Sequence, residues 1–318
     1  METFRAEYGL DETNFALSYR NAVTGETYHY NETHFMLAGS TYKLPLNLYY
    51  YDLEAAGEIS ADTPITEDCS LAYVHEQSLL NSNNELSHAL IYRIGSFWEY
   101  KQAMRRYFTM TDAEIDPSYY EDNYYCTRMM LDTLQVLWDR QEDYAQALSY
   151  LEQAMPEHYF RRDLPDVRIA HKYGLFEASM NDVGIIWAKQ PFLLAVYTSL
   201  NDYLLAEDVI AQAAVLFYDY TNRQARSGAH ADAGKRAAPV SAPADRQEAA
   251  AAMAQARERL TEKISPKPTQ QELRALAAQA IPERQTAEAP WAFIGAAILL
   301  GTAAGACLAI RRGKRKCR

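Results

Sequence analysis

The chain has few of the residues that bind metals. Its 318 residues include only four cysteines and seven histidines, and no spacing among them is typical of a zinc site. We therefore expect neither a metal nor another cofactor. Cys69 and Cys126 lie in the region expected to fold, and they either form a disulfide bond or remain two free buried thiols.

Positive charge is scarce outside the C-terminus. The formal net charge is −11, and six positive charges fall in residues 311–318, so residues 1–310 carry a formal charge of −17. An acidic surface of this kind repels a phosphate backbone. We therefore expect no nucleic acid partner.

Composition divides the chain into four consecutive parts. Residues 1–222 are rich in tyrosine and apolar residues and are long enough to bury a sizeable core. Residues 223–289 are dominated by Ala, Gln, Arg, Glu and Pro, which predicts a linker that is largely disordered or forms isolated helices. Residues 290–310 carry no charge and, as a helix, would span the roughly 30 Å core of a bilayer. Residues 311–318 form a basic tail.

The basic tail predicts how this span is oriented. Lys and Arg beside a membrane helix stay on the cytoplasmic side, so we expect a single-pass protein of the cell membrane with residues 1–289 outside. The alternative is a buried core helix followed by a basic tail. Export needs a leader, yet Met1–Glu7 has neither a basic n-region nor an apolar h-region. We therefore expect that the true chain begins upstream.

Periodic patterns in the first part predict an α+β fold. Alternation of apolar and polar residues predicts a hairpin over Phe15–Arg20 and Glu26–Tyr30. Three later strands are predicted over Val167–Lys172, Asp182–Trp187 and Phe192–Tyr197. Residues 41–151 have mostly helical periodicity, and residues 204–220 predict an amphipathic closing helix. Strands at both ends of a helical block predict one antiparallel sheet flanked by helices, with a helical subdomain.

Ser40 and Lys43 lie three residues apart at the predicted start of a helix. This spacing places the hydroxyl and the amine on one face, and a first-turn serine gains from the free N–H groups of the helix. The pair is typical of a nucleophile beside its base, although a chain of this length is expected to contain about one such pair by chance. The alternative is a capping serine followed by a surface lysine.

Two further short motifs follow in order. Ser82-Asn83-Asn84 opens a predicted helix, and His171-Lys172-Tyr173-Gly174 lies on or ends a predicted strand. With Ser40-Thr41-Tyr42-Lys43, they resemble the three signatures of the penicillin-recognising serine hydrolases, Ser-x-x-Lys, Ser-x-Asn and Lys-Thr/Ser-Gly. Their order and setting, with Asp182-Val-Gly-Ile-Ile after the third motif, resemble the class A β-lactamase-like branch over about residues 12–222.

The resemblance implies an acylation site. Ser40 would attack an acyl carbon, Lys43 in its neutral form would accept the proton, and Ser82 would relay it to the leaving nitrogen. Burial and the nearby Lys172 cation would lower the pKa of the Lys43 amine. The backbone N–H groups of Ser40 and Leu175 would hold the oxyanion.

Substrate-binding residues are implied on the same motifs. Asn84 would bond to the amide side chain of the substrate, Lys172 would attract its carboxylate, and Gly174 would let it approach the strand. Each residue also has a structural alternative when it is taken alone. Ser82 could cap the following helix, Asn84 could be a turn residue, and Lys172 could be a solvated lysine on a strand. We assign His171 to structure.

Two departures from the family pattern bear on function. Tyr173 stands where Thr or Ser would offer a small hydroxyl to the substrate carboxylate, so it belongs to an altered binding pocket. The glutamate that activates the deacylating water in class A β-lactamases has no clear counterpart in residues 112–127. Glu121 and Glu114 are the candidates, with Glu121 preferred, but neither has the family setting.

The resemblance supports three functions. The first is a membrane-tethered serine hydrolase that acts on a β-lactam or a peptidoglycan-like amide. The second is a penicillin-binding or sensor module that deacylates slowly or not at all. The third is an inactive scaffold, which the complete set of motif residues disfavours. A carboxypeptidase of the D-Ala-D-Ala type is an alternative within the first.

Overall fold

The computed structural model describes residues 1–232, with side chains described as far as residue 225. The predicted membrane span, the basic tail and most of the predicted linker lie outside these residues. The helices are α1 (Glu2–Tyr8), α2 (Lys43–Ala55), α3 (Leu71–Leu79), α4 (Asn84–Ile94), α5 (Phe97–Met104), α6 (Ser118–Glu121), α7 (Thr127–Asp139), α8 (Ala145–Gln153) and α9 (Tyr203–Asp232). The strands are β1 (Phe15–Asn21), β2 (Thr27–Tyr30), β3 (Met36–Leu37), β4 (Tyr124–Tyr125), β5 (Ile169–Phe176), β6 (Ser179–Ile186) and β7 (Phe192–Ser199).

Five of the strands form one sheet in the order β2-β1-β7-β6-β5, and all neighbours are antiparallel. The first strand pairs with the last, with Tyr19 opposite Leu194, so the two ends of the body close one sheet around the helical block. The short strands β3 and β4 pair separately, beside the turn that carries Ser40. The predicted α+β architecture, an antiparallel sheet flanked by helices, is confirmed.

The sheet separates two hydrophobic cores. In β7, Leu193, Ala195 and Tyr197 face the helical subdomain. The alternate residues Phe192, Leu194 and Val196 pack against α9 and its neighbours. This alternation follows from the two-residue period of a strand. Both faces of the central strands are therefore buried, and the sheet is a rigid platform for its edge strand β5.

Some element boundaries differ from the predicted ones. β5 extends to Phe176, past the predicted end at Lys172, and turns into β6 through Glu177, which has a positive φ of 51°. The helix predicted over residues 204–220 continues to Asp232. α1 was missed, because it is seven residues long and only two of them, Phe4 and Tyr8, pack against the core, which is too short a pattern to show a helical period.

Two findings bear on the cysteine and membrane predictions. Cys126 is a buried free thiol, so a disulfide bond between Cys69 and Cys126 is excluded, and Cys69 is not a free thiol, so the alternative of two free thiols is wrong as well. Within residues 1–232, none of the helices combines the length and the apolar character that crossing a bilayer requires. The predicted span, residues 290–310, is outside that range.

Candidate active site

Ser40 lies on a 3₁₀ turn, Gly39–Tyr42, that joins β3 to α2. Gly39 has a φ of +55°, and a Cβ at this position would lie 2.7 Å from the backbone nitrogen of Leu175. Thr41 fixes the turn from below, since its hydroxyl bonds to the Ala38 carbonyl at 2.9 Å and to the Tyr197 hydroxyl. No side-chain capping bond forms at the start of the turn or of α2, so Ser40 is not a helix cap.

Lys43 is fully buried beside Ser40 and is not a surface lysine. Its Nζ lies 3.0 Å from Ser40 Oγ, 2.6 Å from the Ser82 carbonyl oxygen and 2.6 Å from Asn84 Oδ1. Burial lowers the pKa of the Lys43 amine to about 7. A neutral amine has two N–H groups and one lone pair. The carbonyl and amide oxygens, which only accept, take the two N–H groups, and the lone pair is left for the Ser40 hydroxyl.

Ser82 is aimed at both lysines by a strained backbone. Its φ is +54°, in the left-handed region that is rare for a residue with a Cβ. Asn83 caps α4 instead, with its side-chain oxygen accepting from the Leu86 N–H at 2.9 Å. Ser82 Oγ lies 3.2 Å from Lys43 Nζ and 3.0 Å from Lys172 Nζ. The capping alternative for Ser82 is therefore wrong.

Lys172 reaches the same point from β5 and is fully buried, not solvated. Burial, and after it the charge of Lys43, holds the pKa of the Lys172 amine well below its usual range. Behind it lies the buried His171, with Nδ1 2.7 Å from Asp182 Oδ2 and Nε2 3.0 Å from the Ala154 carbonyl oxygen. Both ring nitrogens face acceptors behind the site, which agrees with the structural role expected of His171.

Strand β5 runs against the Ser40 turn without a side chain between them. A Cβ on Gly174 would lie 2.7 Å from the Ser40 nitrogen, so only glycine permits this approach. The backbone nitrogen of Ser40 on the turn and that of Leu175 on β5 therefore lie on either side of the contact between these two segments. Because β5 is an edge strand, alternate N–H groups along it are not used by the sheet. Two backbone N–H groups on such a contact are what an oxyanion hole would require.

The two glutamates proposed for water activation do not enter this cluster. Glu114 accepts from Thr111 and Arg128 at the surface, and Glu121 ends α6 with its residue exposed. Within residues 1–232, neither forms a hydrogen bond with Ser40 or Lys43. The loop residue that does touch the turn is Asn123, whose Nδ2 donates to the Gly39 carbonyl at 2.8 Å.

A model of the β-lactamase enzyme family matches residues 3–221. The chain belongs to this family. No curated protein matches the chain at a significant level.

Solved structures with the same fold include several β-lactamases and PBP-A. A β-lactamase from Chitinophaga pinensis is 18% identical, with a TM-score of 0.59 over 69% of this chain and 100% of that one. An ancestral class A β-lactamase, GNCA, is 19% identical, with a TM-score of 0.59 over 69% and 97%. PBP-A is 15% identical, with a TM-score of 0.60 over 70% and 95%. Family and fold together make the chain an enzyme of the serine hydrolase type.

Two polar residues of this β-lactamase-family site were missed from the sequence. Asn123 belongs to no recognisable sequence motif, and it lies beside Gly39 only because β4, which follows it, pairs with β3. His88 lies one turn after Asn84 on α4, and burial, followed by the charge of Lys43, lowers the pKa of its imidazole. The i, i+4 spacing from Asn84 was the available signal for His88.

Proposed function

We propose that this chain forms an acyl-enzyme through Ser40 on a β-lactam or a peptidoglycan-like amide. The observation that carries the proposal is the buried Lys43 amine 3.0 Å from Ser40 Oγ, with a pKa lowered to about 7. An alcohol is a poor nucleophile until a base takes its proton. Lys43 supplies that base because, with a pKa of about 7, its amine is neutral in about half of the molecules near pH 7.

Acylation follows from the positions of these groups. Ser40 Oγ attacks the acyl carbon as its proton passes to Lys43 Nζ, and the oxyanion is held by the N–H groups of Ser40 and Leu175. Ser82 Oγ donates its proton to the leaving nitrogen and regains one from Lys43, 3.2 Å away. The C–N bond breaks, and the acyl group remains on Ser40. Asn84 orients Lys43 through its Oδ1 and offers its amide to the substrate.

Release of the acyl group separates a hydrolase from a binding module. Within residues 1–232, Lys43 has hydrogen bonds to hydroxyl, carbonyl and amide oxygens and none to a carboxylate. Lys43 itself is then the base available for the deacylating water. The lack of a carboxylate bound to Lys43 within these residues favours, as a second candidate, a penicillin-binding or sensor module that deacylates slowly. A carboxypeptidase acting on D-Ala-D-Ala peptides is the cell-wall version of the first candidate.

The proposed cellular setting rests on sequence outside the described residues. Residues 290–310 would anchor the protein in the membrane lipid, residues 311–318 would remain cytoplasmic, and the enzyme body would face the cell-wall side.

A pulse and chase with a fluorescent penicillin tests these alternatives. We expect a label on the wild-type protein and none on the Ser40→Ala variant. Loss of the label during the chase supports a hydrolase, whereas a label that persists supports the binding module. A protein that takes no label from penicillin or from any other acylating compound would contradict both.

A further inference from the structure

The Lys172 amine is covered by its neighbour Tyr173. Lys172 Nζ donates to Ser82 Oγ at 3.0 Å and to the Tyr173 carbonyl oxygen at 2.9 Å. Its third side lies over the Tyr173 ring, 3.8 Å from the centroid. Lys172 has no exposed surface. Two oxygens therefore take its N–H groups and an aromatic face covers its remaining side, so no direction is left open for a ligand.

The Tyr173 side chain is held in this position by contacts on two sides. Its ring stacks on Tyr159, with 5.1 Å between centroids and an interplanar angle of 29°. Burial raises the pKa of the Tyr173 phenol, and a hydrogen bond with the Ser82 side chain offsets part of that rise. Moving the ring to expose Lys172 would therefore break a stacking contact and a polar one. The cover is built into the folded site.

Within residues 1–225, the one other cation that acts on the covered amine is Lys43. Lys43 is committed to its oxygen acceptors and to Ser40. Apart from Lys43, the charged group that affects Lys172 is Asp182, which is negative and already bound by His171 and the Phe160 N–H. A substrate carboxylate entering here would lose its water without gaining an ion pair, which is costly.

The exposed surface at the end of β5 carries two large apolar side chains and the acidic Glu177. Leu175, next to Gly174 on β5, is 43% exposed. Tyr203, 52% exposed, is tied to the same end of the strand because its hydroxyl donates to the Glu177 carbonyl at 3.0 Å. This surface suits a neutral group better than an anion.

We propose that Tyr173 makes this site select acyl donors whose leaving side carries no carboxylate, namely neutral amides and esters. The inference rests on the proposed function, since it assumes that Ser40 is the nucleophile. It reverses the expectation that Lys172 attracts a substrate carboxylate. Lys172 instead supports Ser82, the group that protonates the leaving atom.

A matched pair of compounds tests this selection. Benzylpenicillin and its methyl ester have the same β-lactam ring and differ in whether the carboxylate is free. The rate of adduct formation on Ser40 is measured by mass spectrometry for both, and each rate is divided by the hydroxide-catalysed hydrolysis rate of that compound. We expect the ester to acylate the wild-type protein about tenfold faster than the free acid, the ratio that about 1.4 kcal/mol produces.

Two variants separate the ring from the hydroxyl. Tyr173→Thr uncovers Lys172, and we expect it to shift the preference toward the free acid. Tyr173→Phe keeps the ring over Lys172 and is expected to retain the ester preference. The wild-type comparison decides the matter even if Tyr173→Thr fails to fold.

The outcomes distinguish the two levels of the proposal. A wild-type protein that reacts with the free acid as fast as, or faster than, with the ester would overturn the selection by Tyr173 and leave Ser40 as the nucleophile. If neither compound forms an adduct on Ser40 in the wild type or the variants, the proposed function fails, and the selection with it.

Discussion

The acylation rate of Ser40 should follow the titration of Lys43. Burial lowers the pKa of this amine from 10.5 to about 7. The nucleophile is activated only when the amine is neutral, so the rate should rise about tenfold for each pH unit below 7 and level off above it. The sign follows from desolvation, because burial penalises the charged form of a lysine.

The structure also sets the size of the effect. At a pKa of 10.5 about one lysine amine in 3000 is neutral at pH 7, whereas about half are neutral at a pKa of about 7. Burial of Lys43 therefore raises the population of the competent base roughly a thousandfold. An exposed lysine at the same distance from Ser40 would lack this advantage.

Stopped reactions with a β-lactam ester between pH 5 and 9 measure this profile directly. His88 and Lys172 are the other titrating groups beside Lys43, and the lowered pKa of His88 places its own titration below that of an ordinary imidazole. His88→Gln serves as the control, and in this variant the acylation rate should still rise with pH up to about 7 as it does in the wild type. A rate that is flat with pH, or that rises only near pH 10, would refute Lys43 as the base.

Two further predictions concern the elements around Ser40. Gly174→Ala should lower acylation by about 100-fold while the circular dichroism spectrum stays native, because the added Cβ would lie 2.7 Å from the Ser40 nitrogen and must push β5 away; a variant that acylates at the wild-type rate would contradict the close approach. Asn123→Ala should lower the rate about tenfold through loss of its bond to the serine turn, whereas Glu121→Gln should leave acylation and deacylation unchanged. Slower deacylation in Glu121→Gln would restore that glutamate as the water-activating residue.

The sheet was predictable where its strands are short apolar segments bounded by turn residues. The hairpin of Phe15–Arg20 with Glu26–Tyr30 and the strand at Phe192 match β1, β2 and β7 closely. The end of β5 was missed because Gly174 interrupts the apolar pattern. Its place in the strand is set by the close approach to the Ser40 turn, which is a tertiary contact.

The site was predictable only where a short motif marks it. The structure brings Ser40, Lys43, Ser82, Asn84 and Lys172 to one point, although their segments are far apart in the chain. Asn123 was not predictable, since nothing local in the sequence specifies the pairing of β4 with β3. The cover of Lys172 by Tyr173 likewise depends on the stacking against Tyr159.

Locating the acyl group is the most direct test of the central claim. After reaction with benzylpenicillin methyl ester and digestion with trypsin, the peptide of residues 21–43 contains Ser40. Fragmentation of that peptide should place the added mass on Ser40, and the Ser40→Ala protein should carry no adduct. An adduct on another residue, or one that persists in Ser40→Ala, would contradict the assignment of Ser40 as the nucleophile.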